Sequence, residues 1–139
     1  MKFEHLALAA LLSVAAITAP LALAPAFAQQ SAARHMPFSQ AAFAAAQAAG
    51  KPILIDVYAP WCPVCRAQQA PIAAAQADPA NADLVIFRLD FDGQKTEQRP
   101  LRITGQATLI AFRGRTETGR LQGNSDRAAI ARLVASTRG

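Results

Sequence analysis

The stretch Lys51-Pro52-Ile53-Leu54-Ile55-Asp56-Val57-Tyr58-Ala59-Pro60-Trp61-Cys62-Pro63-Val64-Cys65 decides how the rest of the chain is read. Ile53 to Tyr58 is almost continuously apolar and β-branched, which predicts a strand covered on both faces. Ala59-Pro60-Trp61 predicts a turn, and Cys62 opens a helix running to about Ala77. Pro71 falls inside that helix and is expected to kink it. Asp56 interrupts the apolar run. Asp is depleted in strands, and alternation places it on the face shared with Leu54 and Tyr58. Desolvation there favours the protonated acid, making Asp56 a candidate to take and return a proton from Cys65. A strand-end Asp that simply bonds a backbone N–H is the alternative.

Cys62 and Cys65 are the two cysteines of the chain. Two are too few for a multi-disulfide scaffold or a four-cysteine zinc site. A bridge across two residues constrains little of the unfolded chain, so the spacing favours chemistry over a staple. In thiol–disulfide exchange, a thiolate attacks a disulfide and a second thiol resolves the mixed disulfide. The attacking sulfur should be exposed, the resolving one near and shielded. Cys62 at a helix N-terminus suits the first role, because unpaired N–H groups and the helix dipole favour its thiolate. Cys65 lies three residues on, under the same face. Pro63 suits the first helical position but removes an N–H donor, and Val64 adds no charge. Neither supplies the field of a strong oxidant. The couple is therefore expected nearer the reducing end of the range of about −270 to −120 mV.

Outward toward the N-terminus, residues 1–28 read as a secretory signal peptide. A short start containing Lys2 precedes an Ala/Leu-rich run, then Ala26-Phe27-Ala28 forms a small-x-small cleavage pattern. A retained anchor is the alternative, since the run approaches the length of a membrane span. The reading implies a periplasmic or secreted protein. Residues 29–37 read as a polar linker, with His35 an incidental member, and 38–139 as one domain. A helix is predicted from Phe38 to Ala49, with Ser39 as N-cap and Gly50 as C-cap. Strands follow at 84–90, 107–113 and 116–122, a short helical piece near 98–101, and a last helix from Asp126 to about Ser136 capped by Ser125. The order predicts an α/β fold: a four-stranded mixed sheet with helices on both faces.

A net charge of +5 permits contact with nucleic acid or anionic membrane. No basic run is interleaved with aromatics, so no nucleic-acid platform is expected. No G-x-G-x-x-G stretch appears, so no flavin or nicotinamide site is expected and electrons must come from outside.

Trp61-Cys62-Pro63-Val64-Cys65, at a strand end and a helix start, resembles the active site of the thioredoxin-fold thiol:disulfide oxidoreductases. The likeness covers about Phe38 to Ser136. It includes Asp56 ahead of the motif, Arg88 where that family has a Lys, Gly114 in the hairpin and Gly123 before the last helix. The leading helix with Gly50-Lys51-Pro52 is especially similar to exported members, including the C-terminal domain of the transmembrane thiol:disulfide interchange protein. The resemblance implies a thioredoxin-like fold, catalytic Cys62, Cys65 and Asp56, and substrate contacts at Trp61, Pro63, Val64, Ala107 and Thr108. Arg88 would modulate Asp56, or simply reach solvent, and Trp61 could instead be a packing residue. No cofactor or metal is implied beyond the redox-active Cys62–Cys65 disulfide. The partners implied are protein disulfides and an upstream thiol donor, a membrane interchange protein being one candidate, with the chain acting as a monomer. A Cu(I)-binding thioredoxin-like module and a docking role with a dispensable Cys pair are the alternatives.

Ala107 departs from the family, standing where it has a cis-proline. A cis bond before a non-proline costs about 2.5–4 kcal/mol, so Gln106–Ala107 is expected to be trans. The missing ring is expected to leave room beside the sulfurs and ease metal capture there.

Overall fold

The computed structural model describes residues 32–139. The signal-peptide reading of residues 1–28 lies outside them. Among the described residues no helix is long and apolar enough to cross a membrane.

The apolar run forms the central strand. β1 (Met36–Pro37) is followed by α1 (Gln40–Ala48), β2 (Pro52–Tyr58), α2 (Pro63–Ala77) and β3 (Val85–Asp90). Then come a short α3 (Lys95–Gln98), β4 (Thr108–Arg113), β5 (Thr116–Gln122) and α4 (Arg127–Ala135). The sheet order is β1-β3-β2-β4-β5. β2 pairs in parallel with β3 and antiparallel with β4, so it has a hydrogen-bonded neighbour on each side.

Alternation along the strands divides the core in two. Ile53, Ile55, Val57, Phe87, Ile110 and Phe112 face α1, where Phe43 packs edge-on against Phe87 and Phe112. Leu54, Ile86, Leu109 and Ala111 face α2 and α4, meeting Ile72, Ile130, Leu133 and Val134. The helices therefore cover both faces, as the order of elements implied. At the β4–β5 hairpin Gly114 has φ +54°, and a Cβ there would meet the Gln47 carbonyl and the Gly50 Cα at 3.4 Å. Both facts favour glycine.

Several expectations change. The sheet has five strands, because Met36–Pro37 pairs with the free edge of β3. The linker reading of 29–37 therefore fails from Arg34 on: Arg34 is bonded to Gln76 of α2, Met36–Pro37 pair with β3, and beyond them the Phe38 N–H bonds the Arg88 carbonyl at 2.8 Å and its ring enters the α1 core. Pro37 is tolerated there because an edge strand needs no N–H on its open side. The last helix is capped by Asp126 rather than Ser125, since Asp126 Oδ1 accepts the Ala129 N–H at 2.7 Å. The short helix falls at 95–98, earlier than read. Pro71 stands inside α2, which continues past it to Ala77.

Candidate active site

Cys62 is the N-cap of α2, with Pro63 at the first helical position. Its sulfur accepts the Cys65 N–H at 3.1 Å. A donor at a helix start is thus already aimed at the atom that must carry negative charge, as the motif spacing requires. Both cysteines are thiols. They form a small apolar cluster with Ala59 and Ala107, against which Tyr58, Val64 and Phe91 pack.

Cys62 was expected to be exposed, and it is not: 3% of its surface is accessible, against none for Cys65. Ala107 is among the residues packed with it. The Gln106–Ala107 bond is trans, as its cost implied, but Ala107 adopts φ +56° and packs into the cysteine cluster. The expected room beside the sulfurs is therefore absent. Both backbone groups of Ala107 are committed within the fold. Its N–H donates to the Val57 carbonyl at 3.0 Å, and its carbonyl accepts Gly123 N–H at 3.0 Å and Gln68 Nε2 at 3.1 Å. Thr108 is buried beside it, its hydroxyl donating to the Gly105 carbonyl at 2.8 Å.

On the outer side Trp61 is 54% exposed, and its Nε1 donates to Asp92 Oδ2 at 2.7 Å. Pro63 is exposed and Val64 half-buried. These three present apolar surface beside Cys62, whereas the side chains of Ala107 and Thr108 face inward.

Burial pushes the Cys65 thiol up to about 11 from an ordinary 9.0, and the neighbouring Cys62 sulfur adds to the rise. An unfolded Cys65 loses its proton near pH 9.0 and the folded one near 11. Across that window the unfolded chain binds fewer protons, so folded-state stability falls as pH rises; below it the contribution is intact. The reduced protein should therefore lose unfolding free energy between those pH values, and Cys65→Ser should remove that loss. Urea denaturation of both forms at a series of pH values checks it. An equally steep fall in the variant would show that Cys65 is not the source.

Asp56 is fully buried on the α2 side of β2, opposite Arg88 in the β2–β3 register. Its Oδ2 lies 3.1 Å from Arg88 Nη2, 3.2 Å from Gln69 Nε2 and 3.1 Å from His35 Nε2. Gln69 Nε2 also donates to the Cys65 carbonyl at 2.9 Å, so one amide joins the carboxylate to the helix bearing the sulfurs. Arg88 Nη2 also bonds Gln69 Oε1, and the guanidinium lies over the Tyr58 ring at 4.2 Å. Arg88 is thus drawn to Asp56 while a third of its side chain stays exposed.

The sequence reading missed Gln68, Gln69, Asp92 and His35. Gln68 and Gln69 stand three and four residues after Cys65, the spacing that shares its helix face, and that signal was available. His35 and Asp92 reach the site through tertiary contacts that no local pattern announces. For a soft ion the two thiols are the donors at hand. Among the described residues no group of three or more His, Cys, Asp or Glu side chains could hold a metal.

A thioredoxin family model matches residues 34–136. The bifunctional thioredoxin reductase/thioredoxin of Mycobacterium leprae is 30% identical over 90 residues, which make up 65% of this chain and 19% of that protein. The thiol:disulfide interchange protein DsbD of Yersinia enterocolitica is 32% identical over 95 residues, 60% of this chain and 16% of that protein. The chain thus spans less than a fifth of either relative. The crystal structure of Trxlp from Edwardsiella tarda superposes with a TM-score of 0.68 at 42% identity, covering 70% of this chain and 95% of that one. With the Cys pair at the start of α2, the buried acid on β2 and this span of match, the chain belongs to the thioredoxin family.

Proposed function

We propose that this protein is an exported thiol–disulfide oxidoreductase that reduces or exchanges protein disulfides through Cys62 and Cys65. The observation that carries the reading is the asymmetry of the two sulfurs. Cys62 caps a helix and accepts an N–H, while Cys65 is wholly buried and held as a thiol. The Cys62 thiolate attacks one sulfur of a substrate disulfide, and the other leaves as a thiolate that takes a proton from solvent. Cys65 then gives its proton to the Asp56 carboxylate and attacks the Cys62 sulfur. The second substrate sulfur departs as a thiolate that takes a proton from solvent, and a Cys62–Cys65 disulfide remains. Two electrons pass to the substrate, and an upstream thiol donor returns them.

The Cys pair itself is the redox group, so the reaction calls for no other cofactor. Trp61, Pro63 and Val64 give the substrate an apolar landing beside Cys62, and the Ala107–Thr108 backbone backs the sulfurs from inside. Export rests on the pattern ending at Ala28. The likeness to an interchange protein supports a membrane thiol donor as partner.

The test is the reduction potential of the couple against glutathione, with turnover on a protein disulfide. A potential nearer −270 than −120 mV, on the scale of about that span, and turnover driven by a dithiol are expected. No turnover, together with Cu(I) held by the reduced protein against a competing chelator, would overturn the reading in favour of a metal module.

A further inference from the structure

The segment from residue 32 to 38 lies over the buried carboxylate and is fastened on both sides. Arg34 N–H donates to Gln76 Oε1 at 2.7 Å, and Gln76 Nε2 returns a bond to the Arg34 carbonyl at 3.2 Å, tying the arm to α2. On the other side β1 and the Phe38 N–H tie it to β3. Between these anchors His35 turns inward, its side chain 11% exposed. Nε2 lies 3.1 Å from Asp56 Oδ2, and Nδ1 lies 3.0 Å from the Ala33 carbonyl.

A carbonyl only accepts, so Ala33 places a proton on Nδ1 and leaves Nε2 to face the acid. Two proton arrangements then fit one geometry. A protonated Asp56 donates to a bare Nε2, or a protonated Nε2 donates to the carboxylate. Three side chains touch Oδ2. Arg88 stays charged and the Gln69 amide does not titrate, so the imidazole alone both accepts and releases a proton. Asp56 has no exposed surface, whereas His35 lines a cavity of about 480 Å³ that also borders exposed Ala32 and Arg127.

We propose that His35 is a positioning residue acting through Asp56, holding the acid's proton and passing it to solvent in that cavity. This rests on the reading of Asp56 as acceptor for Cys65. After Cys65 resolves the mixed disulfide, the Asp56 O–H bond breaks and an N–H bond forms at His35 Nε2. The imidazolium then gives its Nε2 proton to water, which restores the neutral ring with its proton on Nδ1, and no electron moves. The charged groups around the ring set the direction. Asp56 on β2 attracts the proton, while Arg88 on β3, 3.2 Å from Nε2, and Arg127 on α4, across the cavity, repel the imidazolium and favour release. α2 offers the neutral Gln69, and Tyr58 lies beneath Arg88.

The experiment has two arms on the full chain. In the unmodified reduced protein, nitrogen NMR of His35 should show the proton on Nδ1 in the neutral ring. A neutral ring protonated on Nε2 overturns the proposal. In the second arm the reduced protein is mixed with an aromatic disulfide, and the second thiolate release reports the resolving step. His35→Gln keeps a donor for Asp56 but carries no proton. It should slow that release about tenfold and alter its pH profile, less than the about 10²–10⁴ of a group transferring the proton directly. If Asp56→Asn is slow but His35→Gln superimposes on the parent, the role of His35 falls and that of Asp56 stands. If Asp56→Asn also superimposes, both fall.

Discussion

Replacing Cys65 with Ser is expected to leave a stable mixed disulfide on Cys62, and replacing Cys62 with Ser to leave none. The two sulfurs sit three residues apart in sequence but in different surroundings. Cys62 has the small exposed edge of the pair and takes an N–H from the helix start, whereas Cys65 has no accessible surface and keeps its proton to about pH 11. A substrate disulfide therefore meets Cys62 first. Without Cys65, nothing on this chain expels the substrate. Turnover should fall by about three orders of magnitude or more in either variant, as it does when one member of a concerted pair is removed. Mass spectrometry of non-reduced mixtures with a disulfide-containing protein separates the roles. Equal trapping by both variants would contradict the assignment.

The place of Cys62 at a helix start was legible because it depends on local facts. A C-x-x-C after a continuous apolar run and a turn puts the first sulfur at a helix cap, and Cys62 is the cap. Asp56 was legible for the same reason: period-two alternation places it with Leu54, and the α2 side of the sheet is where it lies. What failed depended on contacts between distant segments. Met36–Pro37 is too short to show alternation, and it is a strand only because β3 has an open edge beside it. His35 has no neighbour in sequence that marks it, and it gains a role only once the arm crosses Asp56. The choice between Ser125 and Asp126 as cap was a choice between adjacent residues with equal propensity, which only the direction of the chain entering α4 could settle. The exposure of Cys62 was misjudged because helix position sets the electrostatics of a sulfur but not what packs over it.

Ala107→Pro should be strongly destabilising, although it restores the residue type that the family carries at this position. Proline holds φ near −65°, and Ala107 sits at +56°, so the ring cannot be accommodated without moving the loop. Proline also lacks the N–H that Ala107 donates to the Val57 carbonyl at 3.0 Å, leaving a buried acceptor on the central strand short of its partner. Moving the loop would strain the Ala107 carbonyl, which holds Gln68 on α2 and Gly123 before α4. The lost hydrogen bond and the forced backbone change together should cost about 3 kcal/mol or more. In a domain of this size that is a drop in Tm of more than about 10 °C. Ala107→Gly is the matched control. It relieves about 1 kcal/mol of left-handed strain and adds a similar entropy cost in the unfolded chain, so its Tm should stay close to the parent's. Thermal unfolding of the reduced forms of all three proteins makes the comparison. A proline variant as stable as the parent would mean that the loop has a second conformation of nearly equal energy. The left-handed turn at Ala107 would then not be what closes the cluster over Cys62. If instead the proline variant is unstable and the glycine variant is not, the cover over the sulfurs is fixed by this one backbone conformation, and reactivity at Cys62 is limited by how readily a substrate displaces it.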